Sequence, residues 1–416
     1  MKRSRVILLG SMTAGLVALG AIGTVQYVDA KAPAKVEAKA PAKTVAAAKP
    51  GTYAATFYVA AMGGHFAVAD VTIDPTAANP IHLNKLTKID IGDAETHPTH
   101  DARIDVNNPD HMFWSTYHVD KAINKTHVGV SDLKTGEVLK DVEVETPTQA
   151  SITNHMYCAS GQTADYYMPI SMANKGYISI FKKSDFLQKA DVKPVQTVFL
   201  EGTDADIHKP YVFYHGINSP DMKKFYMSIN EADKDQGTPI GKMHMVMLDM
   251  NDLVKGKVTV LKKGVAPGAA GKTYSFRQYF SPDGKLIANS GGDRMYLVDA
   301  NTLEVLDNQM MLPLEENHDG IFTPDSKYVI ATSRTKTLVG GNYEKISRTA
   351  SECATEKTPA KELGEDDYFM DGQLKLYDVA AKKFIGTPTS VCLACHNEEG
   401  VAQHAVLCGI DANWKK

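Results

Sequence analysis

The sequence of 416 residues has little net charge, because 45 Lys and Arg residues face 49 Asp and Glu residues and leave a formal charge of −4. This balance does not provide the basic surface that nucleic acid or an anionic membrane attracts, so we expect neither partner. Capped stretches with a 3.6-residue apolar period are also scarce, which argues against a helical protein. With frequent β-branched runs, 31 glycines and 18 tyrosines, the composition favours an all-β fold.

Cysteine is scarce too, with five residues in the whole chain, but two of them form a motif. Residues 392–396 read Cys-Leu-Ala-Cys-His, the spacing that attaches a c-type haem. Cys392 and Cys395 are predicted to form the two thioether bonds, and His396 is predicted to be the proximal iron ligand. Because the motif occurs once, we expect one covalent haem c per chain.

Two other interpretations of the motif remain open. A zinc site would need four ligands, and His404 and Cys408 could add two to the pair in the motif. A redox-active dithiol would need only the two cysteines. The distal haem ligand is equally open: it is His404, a methionine of the fold, or no residue. Cys158 and Cys353 complete the five cysteines, and a disulfide involving Cys158, Cys353 or Cys408 is left unassigned.

The N-terminus predicts export from the cytoplasm. Residues 1–5 are basic, residues 6–28 carry no charge, and Val-Asp-Ala at 28–30 fits a signal-peptidase site. The uncharged run is also long enough to span a bilayer, so residues 1–30 are either a signal peptide or a membrane anchor. Residues 31–50 are an Ala/Lys/Pro linker with little to bury. We expect a periplasmic protein, soluble or tethered to the inner membrane, which is where bacteria attach haem c.

A repeated unit follows, most clearly over residues 276–306: a strand, a Ser-Pro-Asp-Gly turn, and three more strands. Four short strands at this spacing are typical of a β-propeller blade. We trace six blades within residues 51–416, while seven, and at most eight, stay open; a two-sheet sandwich is the less favoured alternative. The blade near residue 56 lacks its opening strand, and the C-terminus supplies a candidate. The ring is therefore predicted to close by pairing N- and C-terminal strands.

The blade starts carry basic side chains, which would line the central channel of a propeller. They are His97, His100, His155, His208, His215, Arg277, His318 and His404. Convergence at a channel mouth would make His100, His318 and Arg277 candidate catalytic residues, with room for a second metal such as copper. His396 and His404 are the candidate metal ligands. The alternative is structural: each histidine would bond between blades, with His100-Asp101 and His318-Asp319 as examples.

The blade pattern over about residues 53–416, with its x-Pro-Asp-Gly turn and channel histidines, resembles the propellers of periplasmic respiratory enzymes. These include the YVTN, nitrous oxide reductase and cytochrome-type nitrite reductase propellers. The resemblance implies a haem c oxidoreductase with periplasmic redox partner proteins and a small-molecule or metal site. The chain departs from these families, since it has no paired His-His near the first blade and no second haem motif. A non-catalytic electron carrier or docking scaffold is the alternative. The haem attachment segment is placed at 391–404, and a polar insert between Arg334 and Gly372 could cover it.

Overall fold

Four-stranded antiparallel sheets account for nearly all of the regular structure in the computed structural model. It describes residues 51–415 apart from 62, 94–95, 118–119, 121–122, 124, 151–156, 173–174, 314, 339–367 and 392–406. The predicted signal or anchor segment 1–30, the linker 31–50 and the haem motif lie outside the described residues. Among the residues that are described, no helix is long and apolar enough to cross a membrane.

In the first three blades the strands follow chain order, except that the last strand of the chain belongs to blade 1. Blade 1 contains β1 (Tyr53–Ala61), β2 (His65–Ile73), β3 (Ile81–Asp90) and β24 (Leu407–Trp414). Blade 2 contains β4 (Thr99–Ile104), β5 (His111–Thr116), β6 (Thr126–Asp132) and β7 (Val138–Val144). Blade 3 contains β8 (Tyr157–Gln162), β9 (Tyr166–Ser171), β10 (Tyr177–Lys182) and β11 (Gln196–Phe199), with the helix α1 (Lys183–Gln188) before β11.

The remaining blades repeat this order. Blade 4 contains β12 (Tyr211–Asn218), β13 (Lys224–Ala232), β14 (Pro239–Asp249) and β15 (Val260–Pro267), with the helix α2 (Met250–Leu253) before β15. Blade 5 contains β16 (Gln278–Phe280), β17 (Leu286–Ser290), β18 (Arg294–Asp299) and β19 (Val305–Met310). Blade 6 contains β20 (Glu315–Phe322), β21 (Tyr328–Leu338), β22 (Tyr368–Asp378) and β23 (Lys383–Ser390). The all-β prediction and the count of six are confirmed, and the sandwich alternative is wrong.

The C-terminal strand closes the ring, as predicted. β24 pairs antiparallel with β1, with Phe57 opposite Ala412, and forms the innermost strand of blade 1. The side chain of Trp414 packs edge-on against Phe57, with ring centroids 5.6 Å apart. Blade 1 is thus assembled from both ends of the described fold, which leaves no open edge at this point.

The turn that revealed the repeat has the same hydrogen bonds in three blades. The hydroxyls of Ser219, Ser281 and Thr323 donate to the aspartate two residues later, at 2.6, 2.7 and 2.9 Å. Each hydroxyl also accepts the backbone N–H that opens the second strand. The residue three positions on has positive φ, and only in blade 5 is it the glycine, Gly284, that this conformation favours.

Apolar side chains fill the space between neighbouring blades. Each of six buried clusters joins two adjacent sheets, as where Ile321 and Ile330 of blade 6 meet Phe57 and Val59 of blade 1. Trp114 is the largest fully buried side chain and its indole N–H donates to Ser131 Oγ at 3.0 Å. Burial between blades therefore leaves the inner strands to present polar side chains to the axis.

One boundary differs from the sequence prediction. The stretch between Arg334 and Gly372 was expected to be an insert, but β21 and β22 pair through it as far as Leu338 opposite Tyr368. The strands continue because residues 334–338 and 368–372 extend an existing ladder of backbone hydrogen bonds. The remainder, 339–367, lies outside the described residues.

A buried histidine and cysteine cluster at the propeller axis

Five of the six inner strands carry a β-bulge near their beginning, and in four of them the bulge carries a histidine or a cysteine. One extra residue interrupts the register at His100 in β4, at Cys158 in β8, at His318 in β20 and within Cys408–Gly409 in β24. A bulge re-aims the side chain it displaces, and here all four lie at the same level of successive inner strands. At Gly409 a Cβ would come within 3.0 Å of the His100 carbonyl oxygen, so a side chain there would crowd the neighbouring strand.

The side chains at these bulges are close to one another. His100 Nδ1 lies 3.0 Å from Cys158 Sγ, and the His100 and His318 rings are 5.3 Å apart at their centroids. One ligating atom each from His100, His318 and Cys408 fall within 4.8 Å of one another. Together with Arg277 we call these residues the channel cluster: His100, Cys158, Arg277, His318 and Cys408.

Arg277, which directly precedes β16, is the charged member of the channel cluster. Its Nη1 donates to His318 Nδ1 at 2.8 Å, and its Nη2 donates to the carbonyl oxygens of His100 and Cys158. The guanidinium is fully buried, and no carboxylate of a described residue forms an ion pair with it. A buried cation held only by neutral acceptors favours neutral or negative neighbours.

Aromatic rings wall the channel cluster on two sides. Tyr117 stacks on His100 with centroids 3.9 Å apart, and Phe276 stacks on His318 with centroids 4.2 Å apart. The guanidinium of Arg334, which pairs with Glu316, lies over the Phe276 ring, 5.7 Å from its centroid. These flat contacts fix the orientation of both imidazoles.

Protonation in the channel cluster follows from burial. Burial lowers the pKa of His318 well below its ordinary value, and the charges of Arg334 and Arg277 lower it further. Burial also raises the pKa of Cys158 to about 11 and that of Cys408 to about 12, against the opposing effect of Arg277. At neutral pH the metal-free cluster therefore contains a neutral imidazole at His318 and two protonated thiols.

Carboxylates of the inner strands bond neighbouring blades together. Asp319 of blade 6 accepts the Ile410 N–H of blade 1 at 3.0 Å, and Asp411 of blade 1 accepts the Ile104 N–H of blade 2 at 2.9 Å. Burial raises the pKa of Asp319 to about 7 although Arg103 and Arg277 oppose it. The structural alternative expected histidines to make the hydrogen bonds between blades. In these two cases aspartates make them. His100 and His318 do bond to a neighbouring blade, His100 through Cys158 and His318 through Arg277.

The structure brings together His100, His318 and Arg277, the three residues predicted to be catalytic. Their side chains are 0 to 3% exposed, so they line the interior of the axis and not an open mouth. His215 lies on β12 and is also fully buried, with its ring 6.2 Å from that of Phe276.

Two other candidates of the expected ring lie elsewhere. His208 is exposed, in the connection before β12, 3.4 Å from Asp206. His97 lies before β4 and points to the outer strand β7, where its Nε2 bonds Asp141 at 3.0 Å. Both precede an inner strand and neither is on it, which is why spacing in the sequence placed them wrongly. His155 and His404 lie outside the described residues, as do Cys392, Cys395, His396 and Cys353.

His97 belongs to a second group, the outer histidine network of His97, His127, Asp120 and Asp141. His127 Nδ1 lies 2.9 Å from Asp141 Oδ1, and its Nε2 lies 3.6 Å from Asp120 Oδ2. Burial disfavours the charged imidazole, but the bonds and charges of Asp141 and Asp120 outweigh it and raise the pKa of His127. Burial would likewise raise the pKa of Asp141, yet the hydrogen bonds of His127 and His97 hold it well below its usual range. The outer histidine network therefore contains an ion pair between His127 and Asp141.

Cys158 was missed as a site residue, and Cys408 was considered only as a ligand of a zinc site shared with the haem motif. Counting back five residues from the turn residues Asp105, Thr163 and Thr323 gives His100, Cys158 and His318. This constant spacing could have identified Cys158 as a residue equivalent to the two histidines. Aligning His404 with His318 was four residues out, because Cys408 occupies the equivalent place on β24. Imidazole and thiolate are the ligands of copper, zinc and iron, so this donor set is chemically suited to a transition metal.

The fold and the buried cluster define a six-bladed β-propeller with a polar, sulfur-containing axis. No family model and no curated protein matches the chain. Similar solved structures include a periplasmic gluconolactonase of Pseudomonas aeruginosa, with 10% identity over 88% of this chain and 99% of that one and a TM-score of 0.49. A putative 6-phosphogluconolactonase of Bacteroides uniformis has 12% identity, covers 86% and 99%, and gives a TM-score of 0.47. A chain of a mitotic checkpoint complex has 11% identity, covers 88% and 87%, and gives a TM-score of 0.40. At such distances the likeness concerns the fold alone.

Proposed function

We propose that this chain is an extracytoplasmic haem c protein that transfers electrons, with the propeller as the scaffold that holds the haem against the channel cluster. The proposal rests on the haem motif and on where its segment is attached to the fold. Residues 392–406 join β23, the outer strand of blade 6, to β24, the inner strand of blade 1.

Both attachment points support a position over the axis. In a four-stranded antiparallel blade the fourth strand ends on the face where the first strand begins. Val391, directly before the motif, is buried and donates its N–H to the Gly372 carbonyl at 3.0 Å. At the other end, Cys408 is the second residue of β24 and a member of the channel cluster. A haem on Cys392 and Cys395, with His396 as proximal ligand, would thus be tied to the face where all inner strands start.

The chemistry that a bound haem supplies is one-electron transfer, and the chain would position it and insulate it. An oxidoreductase would also need a substrate site, for which His100, His318 and Arg277 were the candidates. Their burial favours the second candidate function, a non-catalytic electron carrier that meets periplasmic redox partners through its surface. The N-terminal segment 1–30 would export the chain or anchor it to the inner membrane.

Haem staining tests the core of the proposal. The chain is expressed in a bacterium with haem c maturation, and a denaturing gel is stained for haem peroxidase activity. One covalent haem per chain is expected, and Cys392→Ala with Cys395→Ala should abolish the stain. The matched control is Cys158→Ala, which removes a buried cysteine outside the motif and should keep the stain. An unstained wild-type band would contradict the proposal.

An optical spectrum separates the two candidate functions. A carrier predicts a low-spin, six-coordinate haem that does not bind carbon monoxide when reduced, because both axial positions are filled. An oxidoreductase with substrate chemistry at the iron predicts an open position and a shifted spectrum with carbon monoxide.

A further inference from the structure

We propose that the channel cluster is a binding site for monovalent copper, with His100, His318 and Cys408 as the three ligands. This goes beyond the proposed haem function and does not depend on it, because none of the three residues belongs to the haem motif. The three ligating atoms already lie within 4.8 Å of one another, and each side chain is buried.

The side chains at the four bulges carry the argument for a built site. A bulge also lies near the start of β12, at residues 212–213, where it carries neither a histidine nor a cysteine, so the bulge itself belongs to the blade repeat. In β4, β8, β20 and β24 the bulge falls at a histidine or a cysteine, and these four side chains lie close to one another at the axis. Bulges of this kind commonly mark functional positions because they re-aim a side chain.

His318 gives a second, independent observation. Its Nε2 atom is buried and makes no hydrogen bond to any described residue. Burying an imidazole nitrogen without a partner is unfavourable, and a metal ion at this point would satisfy it.

Charge selects the metal. A thiolate and two imidazoles with no carboxylate form a soft donor set that suits copper or zinc. Monovalent copper with one thiolate makes a neutral complex, whereas a divalent ion would leave a positive charge in a buried space. Arg277 Nη1 lies 2.8 Å from His318 Nδ1, and the Arg334 guanidinium lies 5.7 Å from the centre of the Phe276 ring that stacks on His318, so an added positive charge is disfavoured.

Arg277 sets the condition for loading. Because its Nη1 donates to His318 Nδ1, the proton of the neutral imidazole is on Nε2 in the metal-free protein. Copper at Nε2 displaces that proton, the Nδ1 then carries it, and the Arg277 contact has to break. The Cys408 thiol likewise releases its proton when it becomes a ligand. Cys158, 3.0 Å from His100 Nδ1, can accept a hydrogen bond from that nitrogen and orient His100.

The test is a titration of the full-length chain with Cu(I) against a chromophoric Cu(I) chelator under anaerobic conditions. One copper per chain is expected, with two nitrogen and one sulfur ligand in its X-ray absorption spectrum. His318→Gln and Cys408→Ser should each weaken binding by more than about 100-fold, beyond the 10- to 100-fold typical of residues behind the ligands. Cys158→Ser should weaken it by about tenfold, and Arg277→Met should strengthen it by about tenfold because the competing contact is gone.

Two controls keep the outcome decisive. His215→Gln removes an equally buried histidine outside the ligand set and should leave the affinity unchanged, while circular dichroism verifies that each variant is folded. Cys392→Ala with Cys395→Ala removes the haem motif and should also keep the copper, which separates this proposal from the haem proposal. Retention of copper in Cys408→Ser, its loss in the motif variant, or no competition with the chelator at all would overturn the site.

Discussion

The channel cluster and the outer histidine network use the same side chain in opposite ways. At the axis, His318 is buried beside arginines and its pKa is lowered, whereas in blade 2 His127 is buried between two aspartates and its pKa is raised. Burial is common to both, so the difference is the sign of the neighbouring charge. A buried histidine next to carboxylates forms an ion pair, and one next to cations stays neutral, which is the form that a metal ligand requires.

The largest effect is expected from removing one inner strand, which would affect the channel cluster directly and the outer histidine network only through the fold. Deleting residues 407–416 takes away β24 and Cys408 while the outer network keeps all of its residues. Blade 1 would lose its inner strand and leave an open edge, so we expect aggregation and no cooperative unfolding transition. A chain that starts at Gly51 behind a foreign signal peptide is the matched control and should fold, because residues 1–50 offer little apolar surface to bury. An unchanged melting curve after the C-terminal deletion would show that ring closure does not stabilise the fold.

The next largest effect is expected at Arg277. Replacing it with Met in the metal-free protein leaves His318 Nδ1 and the carbonyl oxygens of His100 and Cys158 without their donor. We expect a loss of about 3 kcal/mol in the free energy of unfolding, measured by urea denaturation, because unsatisfied buried acceptors cost about 1–3 kcal/mol.

Lys285→Met is the control for that substitution. Lys285 pairs with Asp283 at 3.2 Å on the surface of blade 5, where its side chain is 73% exposed and an ion pair contributes about 0–1 kcal/mol. Equal losses for the two variants would mean that the axis does not depend on the guanidinium.

The outer network makes a smaller prediction that depends on pH. The raised pKa of His127 contributes stability that is complete below about pH 6.5 and is lost as pH rises through the folded-state value. The lowered pKa of Asp141 contributes stability above about pH 4 that is lost as pH falls through its folded-state value. Both contributions are therefore present together between about pH 4 and 6.5.

His127→Gln keeps the hydrogen-bonding shape and removes the titration. At pH 5.5 it should lower the free energy of unfolding by about 1 kcal/mol, a modest value because the Asp141 side chain is 35% exposed. The loss should shrink towards zero above the folded-state pKa. His244→Gln, which removes a similar contact of 2.8 Å to Glu231 in blade 4, should leave the pH profile of blade 2 unchanged. A cost that grows with rising pH would refute the assigned charge.

The comparison also marks the limit of sequence reasoning. The Ser-Pro-Asp turns repeat at short range, so the blades, their number and the pairing of β24 with β1 could be predicted. His100, Arg277 and His318 were found because they recur relative to those turns. The bulges could not be found, since one extra residue changes the register without changing the composition. Cys158 and Cys408 were therefore left as unassigned cysteines, and the partnership of His97 with Asp141 depends on a fold that brings residues 44 positions apart together.

The smallest effect is expected at His208, which precedes an inner strand in the sequence but does not lie at the axis of the propeller. His208 precedes β12 much as His97 precedes β4, but it is exposed, and its φ of 51° lies in the left-handed region. Asn tolerates that region better than most side chains, and the His208 N–H would still donate to Asp206 Oδ1 at 2.9 Å. His208→Asn should therefore change the free energy of unfolding by less than about 0.5 kcal/mol and leave the haem stain and the Cu(I) affinity as they are. His318→Asn, the same exchange at the axis, should abolish Cu(I) binding. If His208→Asn weakened copper binding as strongly, the ligands would have to lie on the connections before the inner strands and not on the strands themselves.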